Sequence, residues 1–128
     1  MSKYGAQKIK IDGIVFDSRK EAYRYGELKL LQRAGKIQNL ELQKEFVLIP
    51  TYWETVLTGE YYKRGEKKGL PKTKKICIEQ GVSYIADFCY IENGRTVVED
   101  TKGFKTKDYI IKRKLMLHVH GIKIKEIT

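Results

Sequence analysis

Cysteine is almost missing from this chain: Cys77 and Cys89 are the only two among 128 residues. Their number and spacing fit neither a zinc site nor a disulfide scaffold. Cys89 reads as a small apolar filler on a strand, and a reducing cytoplasm is the compartment such a chain suits. Proline is as scarce, with Pro50 and Pro71. Pro50 marks a strand edge or a bulge. No apolar run of about 18 residues exists, so no membrane-spanning helix is expected. The opening MSKYGAQKIKID has no apolar stretch of the secretory type. Repeats and low-complexity segments are lacking too. Gly26 and Gly35 form no phosphate loop. His118 and His120, two apart on an expected helix, diverge by roughly 200° and cannot share a metal.

Negative charge is also in deficit. The chain has 26 Lys or Arg against 16 Asp or Glu, a net charge of +10. That excess favours a polyanionic partner, with nucleic acid first and an anionic membrane surface second. The basic residues are clustered: 61–75 hold seven Lys or Arg and one Glu, and 102–114 hold six and one Asp. Apolar residues at 41% and charged residues at 33% describe a globular chain of single-domain size.

Local signals give an element order. Residues 1–17 read as an extended lead-in with an Asp12-Gly13 turn. Ser18-Arg19-Lys20-Glu21 matches a capping box and predicts a helix from about Arg19 to Ala34. Ala22, Tyr25, Leu28 and Leu31 form its apolar stripe, widened by Tyr23, Leu30 and Ala34, and Gly35 stops it. Residues 36–43 read as a short connection and 45–57 as β-prone. Residues 58–72, with Gly59, Gly65, Gly69 and Pro71 among lysines, read as an exposed mobile loop. A strand over 73–79, a Gln80-Gly81 turn and strands at 83–91 and 95–102 follow. Thr106 caps a second helix, about Lys107 to His118, ended by Gly121. Ile122, Ile124 and Ile127 mark a last strand. The expected class is α/β, bordering on α+β, with a mixed sheet flanked by helices. A parallel, right-handed crossover should join strand 95–102 to strand 122–127.

The chemistry centres on Asn93-Gly94, the strongest short hairpin signal. A two-residue loop there pairs Glu92 with Arg95, and so on to Phe88 with Glu99. Asp87 then lies opposite Asp100, and Lys102 shares the face of Asp100 because side chains alternate. Like charges directly opposed destabilise a sheet, which suggests a divalent cation between them. Two hard carboxylates suit Mg²⁺ or Mn²⁺ with several waters retained. Lys102 can orient an attacking water or neutralise charge on a phosphate. The bland alternative is a solvated hairpin with a salt bridge from Lys102. It fits poorly with an acid inside the apolar run Tyr84 to Ile91. Glu99 falls on the opposite face and is left out of the site.

Asp87 followed by Asp100-Thr101-Lys102 resembles the PD-(D/E)xK nuclease superfamily. Ala86 stands where the motif's proline would be. The wider string is similar to a small phage and prophage family described as Holliday-junction-resolvase-like or uncharacterised. Its matching stretches are Phe16-Asp17-Ser18 through Leu31, Leu40 to Gln43, Tyr84 to Phe88, and Val98 to Phe104. The resemblance implies a restriction-endonuclease-like αβββαβ core over residues 1–128, with a basic loop or hairpin inserted at about 54–80. It also implies a divalent metal, cleavage of DNA, and a bacterial host cytoplasm. Branched or junction DNA, cut by a homodimer, is the implied substrate. Glu21 matches the acid that a helix before the sheet often adds, which would join Asp87 and Asp100 on the metal or its water; it also suits a plain capping bond to the Ser18 N–H. Glu27 lies well over 90° around the helix from it. Gln43 either orders a metal-bound water or is a surface residue. Lys105 and Lys107 can grip phosphates at a helix start or form a solvated face. Lys63, Arg64, Lys67 and Lys68, with Tyr61 and Tyr62, suit stacking and backbone contact with nucleic acid or belong to a soluble insertion. The competing reading is a non-catalytic nucleic-acid-binding module on the same fold. A weaker third is a protein-interaction factor.

Overall fold

The computed structural model describes residues 8–128. The part of the lead-in over residues 1–7 lies outside them. The described chain divides into two compact units, one of residues 8–46 with 84–128 and one of residues 47–83.

The first unit begins with a small hairpin, β1 (Ile9–Ile11) and β2 (Ile14–Phe16), turning at Asp12-Gly13 with φ of 53° and 76°. Helix α1 (Arg19–Arg33) follows. The Ser18 hydroxyl accepts the Glu21 N–H at 3.2 Å, and Gly35 at φ 76° takes the left-handed turn after the helix. Both ends match the capping signals. α1 buries Ala22, Tyr25 and Leu28. With Phe16, Ile37, Phe88 and Tyr90 they form the core. Fully burying a Leu or Phe side chain stabilises by roughly 1.5–3 kcal/mol, so Leu28 and Phe88 are major contributors. Tyr23 and Leu30, expected to widen the buried stripe, are 75% and 64% exposed. A helix on a sheet hides a narrower face than a helix inside a bundle.

The main sheet is mixed, with strand order β3-β6-β7-β8: β3 (Gln38–Ile49), β6 (Val82–Glu92), β7 (Arg95–Thr101) and β8 (Lys125–Ile127). β6 and β7 are antiparallel, and β7 and β8 are parallel, as the crossover rule expects. Between β7 and β8 lies α2 (Lys107–Leu115), whose Thr106 cap accepts the Tyr109 N–H at 3.1 Å. The helix does not continue to His118 as expected. It widens into a π-helical turn, Met116–His120, and Gly121 closes it at φ 67°. The chain is thus α+β, with two helices and a mixed sheet. No helix among the described residues is long and apolar enough to cross a membrane.

The connection expected over 36–43 is instead the first part of β3. Asn39 and Gln43 sit at φ 56° and 53° within it. Left-handed residues bend a strand locally, and they hide the alternation that would have announced it.

The second unit is built around a two-stranded antiparallel ribbon, β4 (Tyr52–Tyr61) with β5 (Pro71–Glu79). The loop read over 58–72 is therefore shorter, because β4 reaches Tyr61 and β5 resumes at Pro71. Gly81 anchors the base of the ribbon. Its N–H bonds the Thr51 hydroxyl at 3.0 Å, and a Cβ on Gly81 would collide with the Ile49 carbonyl and lie 2.8 Å from the Thr51 nitrogen. Backbone cannot yield as a side chain tip can. Gly81→Ala is therefore expected to destabilise this unit by about 1–3 kcal/mol. Hydrogen exchange should speed up across residues 47–83 while the core around Leu28 and Phe88 stays protected.

Candidate functional site

The β6–β7 hairpin turns at Asn93 and Gly94, with φ of 52° and 75°. Both residues are left-handed, as a two-residue loop of this type requires. Five pairs follow in the expected register, from Glu92 with Arg95 to Phe88 with Glu99. Beyond them side chains take over. The Thr101 N–H donates to Asp87 Oδ2 at 2.9 Å, so Asp87 is held at the residue next to Asp100, close enough to raise the Asp100 pKa.

Asp100 is 2% exposed, and Asp87 is half-buried. The Tyr84 hydroxyl donates to Asp100 Oδ2 at 2.6 Å, and Lys102 Nζ lies 3.4 Å from the same oxygen. Lys102 is held from its other side by the Tyr109 ring, 4.5 Å to the centroid. Its backbone N–H is fixed by the Ile127 carbonyl on β8. Burial and the neighbouring Asp87 carboxyl push Asp100 from an ordinary 3.8 up to about 7, against the Tyr84 hydroxyl and the Lys102 charge. Glu21, in the first turn of α1, is also raised from 4.5 to about 7. Burial is the first cause, and the charges of Asp87 and Asp17 add to it. Gln43 Nε2 approaches Glu21 Oε1 at 3.5 Å, so the left-handed bend at Gln43 points an amide at this acid. The structure therefore brings Glu21, Asp87, Asp100 and Lys102 into one electrostatic cluster.

The basic residues are placed differently. Lys105 lies 3.8 Å from Glu126, and Lys107 is the exposed first residue of α2. Lys63, Arg64, Lys67 and Lys68 are exposed on the turn of the second unit. Glu27 bonds Arg24 at 3.5 Å rather than joining the acids. A cleft of about 210 Å³ opens beside Asp100 and Lys102, lined also by Tyr84, Tyr109, Thr106 and Lys112.

Sequence reasoning missed the supports of this cluster. Tyr84 and Tyr109 read as plain core aromatics, yet one holds Asp100 and the other holds Lys102. Glu126 accepts from the Tyr109 hydroxyl at 2.9 Å and so fixes that ring. The largest omission is Glu99, which is fully buried. Arg24 donates to both its oxygens, Nε at 2.7 Å and Nη2 at 2.6 Å, and the Tyr90 hydroxyl adds a short bond. Burial would raise Glu99, but these donors outweigh it and hold the carboxyl below its usual range. Only an acid directly opposite Phe88 hinted that Glu99 would need a cation.

Mg²⁺ commonly binds through one or two carboxylates and keeps its waters. Asp87 and Asp100 supply such a pair, and their mutual repulsion is the charge a cation would relieve. Among the described residues no group of three or more His, Cys, Asp or Glu side chains is arranged to hold a metal by itself. Asp87 and Asp100 are the residues that would hold such an ion, with Glu21 as the neighbouring acid.

The fold and the cluster define an α+β domain with an acid–lysine site at the end of its central hairpin. The chain belongs to the family described as "Protein of unknown function (DUF1064)", whose model matches residues 1–127. No curated protein and no solved structure matches the chain.

Two outcomes are expected. Arg24→Ala leaves a buried charge at Glu99 and should destabilise by about 3–5 kcal/mol in urea unfolding. The second concerns pH in metal-free buffer. A carboxyl whose folded pKa is raised takes up a proton on folding, so its stabilisation is complete below about pH 4 and is lost as pH rises through about 7. Asp100→Asn should therefore gain stability relative to the parent protein from pH 4 to 8, by on the order of 2–4 kcal/mol. A pH-independent difference would contradict the raised Asp100 pKa.

Proposed function

We propose that this protein is a metal-dependent DNA endonuclease of phage type, acting through Mg²⁺ or Mn²⁺ in a bacterial cytoplasm. One observation carries the reading: Asp87 and Asp100 meet at the end of the β6–β7 hairpin with Lys102 Nζ 3.4 Å from Asp100. The order of elements supports it. After the β1–β2 hairpin, and leaving out the inserted ribbon, the elements run α1, β3, β6, β7, α2, β8, an order compatible with the αβββαβ core of the nuclease superfamily that the motif resembles.

Asp87 and Asp100 would hold the metal, whose chemistry is to lower the pKa of bound water and offset charge on the phosphate. Glu21, raised to about 7, is suited to accept a proton from the attacking water near neutral pH. Lys102, braced between Asp100 and the Tyr109 ring, donates to a non-bridging phosphate oxygen without first searching for a conformation. The Tyr84 hydroxyl keeps the Asp100 carboxyl aimed at its site. Branched or junction DNA suits the resemblance, and a homodimer suits symmetrical cutting of two strands.

A second reading, a non-catalytic nucleic-acid-binding module, is favoured by one feature: Tyr84 and Lys102 already satisfy Asp100 without a metal. The two separate in one set of assays. Supercoiled, linear and four-way-junction DNA are incubated with Mg²⁺, with Mn²⁺ and with chelator. The nuclease reading expects metal-dependent cleavage that falls about 100-fold or more in Asp100→Asn. Activity that survives this change, or folded protein that cleaves none of the substrates, removes it. Calorimetric titration of Mn²⁺ then decides for the module if no heat depends on Asp87.

A further inference from the structure

The β4–β5 ribbon is left unexplained by the acidic site. Among the described residues its two strands pair only with each other, and almost every residue along them is exposed. A two-stranded ribbon is marginal in water by itself, and both of its edges invite pairing with other chains. Lysines on such edges commonly serve to block aggregation, and a mixture of charges would do that as well. The far end of this ribbon is not mixed. Residues 61–75 hold seven Lys or Arg against Glu66 alone. Among the described residues none of the seven forms an ion pair with a carboxylate. Repelling cations have been gathered and left without counter-charge.

The turn that carries them is well ordered by hydrogen bonds. The Tyr62 N–H bonds the Leu70 carbonyl, and the Gly69 N–H bonds Tyr62 in return. Lys68 and Leu70 close a smaller turn onto Gly65 and Lys67. Gly65 and Gly69 sit at φ 80° and 87°, where a side chain would be strained. Lys67 and Lys72 lie over the Tyr62 ring, 5.6 and 5.3 Å from its centroid. Their ammonium groups are thereby positioned ahead of any binding event, which lowers the ordering entropy lost on association.

The ribbon also has two unlike faces. The register pairs Thr55 with Lys75 and Leu57 with Thr73 on one face, and Glu54 with Ile76 and Val56 with Lys74 on the other. The first carries hydroxyls, a cation and an exposed leucine. The second sets its cation, Lys74, beside an acid, Glu54, that would face phosphate unfavourably. The major groove of B-form DNA is about 12 Å wide and admits a two-stranded ribbon. At about 3.4 Å per residue the ten residues of β4 extend over roughly one helical turn of duplex.

We infer that β4–β5 is a duplex-reading ribbon that lies in the DNA major groove. Lys63, Arg64, Lys67 and Lys68 contact phosphates, and Thr55, Thr73 and Lys75 face base edges. The inference takes its partner, DNA, from the nuclease reading, but it requires neither metal nor cleavage. It assigns the ribbon a double-stranded arm rather than the splayed single strand that stacking on the tyrosines alone would suggest.

The test is binding by the full chain in chelator, where cleavage plays no part. Fluorescence anisotropy is read on a DNA duplex, the same single strand and an RNA duplex, across a salt series. Expected are preference for the DNA duplex and a loss of at least about tenfold in K63A/R64A/K67A/K68A. The salt slope should flatten by about 3–4, at roughly 0.9 per lost phosphate contact. The matching K63R/K67R/K68R variant should bind like the parent, and circular dichroism with thermal unfolding should show the quadruple variant folded like the parent. Dimethyl sulfate should show guanine N7, in the major groove, protected by the parent and exposed in the quadruple variant. Parent-like duplex binding by the quadruple variant overturns the inference. So does protection only of adenine N3 in the minor groove, or stronger binding to single strands or RNA. A ribbon that binds in a protein that does not cleave sinks the nuclease reading alone, and cleavage without ribbon-dependent binding sinks the ribbon alone.

Discussion

Glu99 carries its charge in a place with no access to water, and Arg24 is what makes that tolerable. Two bonds from the guanidinium, with a third from Tyr90, compensate a carboxylate that is fully buried on β7. Removing a carboxylate from water costs several kcal/mol, so the pair is weak evidence for net stability. Its effect is on position. The contact ties α1 to β7 at one rotation and one height. Glu21 is three residues before Arg24, about one helical turn away, and Asp100 is the neighbour of Glu99. Fixing Arg24 on Glu99 therefore fixes Glu21 beside the Asp87–Asp100 pair. The acids of the cluster inherit their geometry from a contact that lies outside it.

The cluster itself is built against its own electrostatics. Three acids share a partly dry corner with one lysine, and two of them are raised to about 7. A structure selected for stability alone would replace such a group with apolar packing. Here the strain is surrounded by supports. Tyr84 holds Asp100, Tyr109 holds Lys102, and Glu126 holds Tyr109, with Arg113 at 3.4 Å behind it. The buried Thr101 hydroxyl, next to both Asp100 and Lys102, has no hydrogen-bond partner among the described residues. Two raised acids, one of them held by a tyrosine hydroxyl, make this corner the candidate on which the proposed function rests.

What the sequence made legible follows from which interactions are local. Asn93-Gly94 demands a left-handed pair, and that demand fixes the hairpin register and the meeting of Asp87 with Asp100. Ser18 and Thr106 satisfy backbone donors three residues on, so both helix starts were readable, and Gly35 and Gly121 gave the stops. Arg24 and Glu99 are 75 residues apart, and no local pattern announces such a pair. β3 was hidden because Asn39 and Gln43 break its alternation. The glycines of 58–72 read as loop, although several serve a bulge and a tight turn within one ribbon. The π-helical turn after α2 has the same composition as a continuing α-helix. Tyr23 and Leu30 matched the helical period yet face outward, since period alone does not say how wide the covered face is.

The central claim is that Asp87 and Asp100 together hold a divalent cation. Anomalous diffraction from a crystal soaked in Mn²⁺, collected above the manganese absorption edge, addresses it without reference to any substrate. One anomalous peak within about 2.0–2.4 Å of a carboxylate oxygen from each residue, lost in Asp87→Asn crystals, is the expected result. Full-occupancy soaks with no peak at this pair, or with a peak that persists in Asp87→Asn, would contradict it.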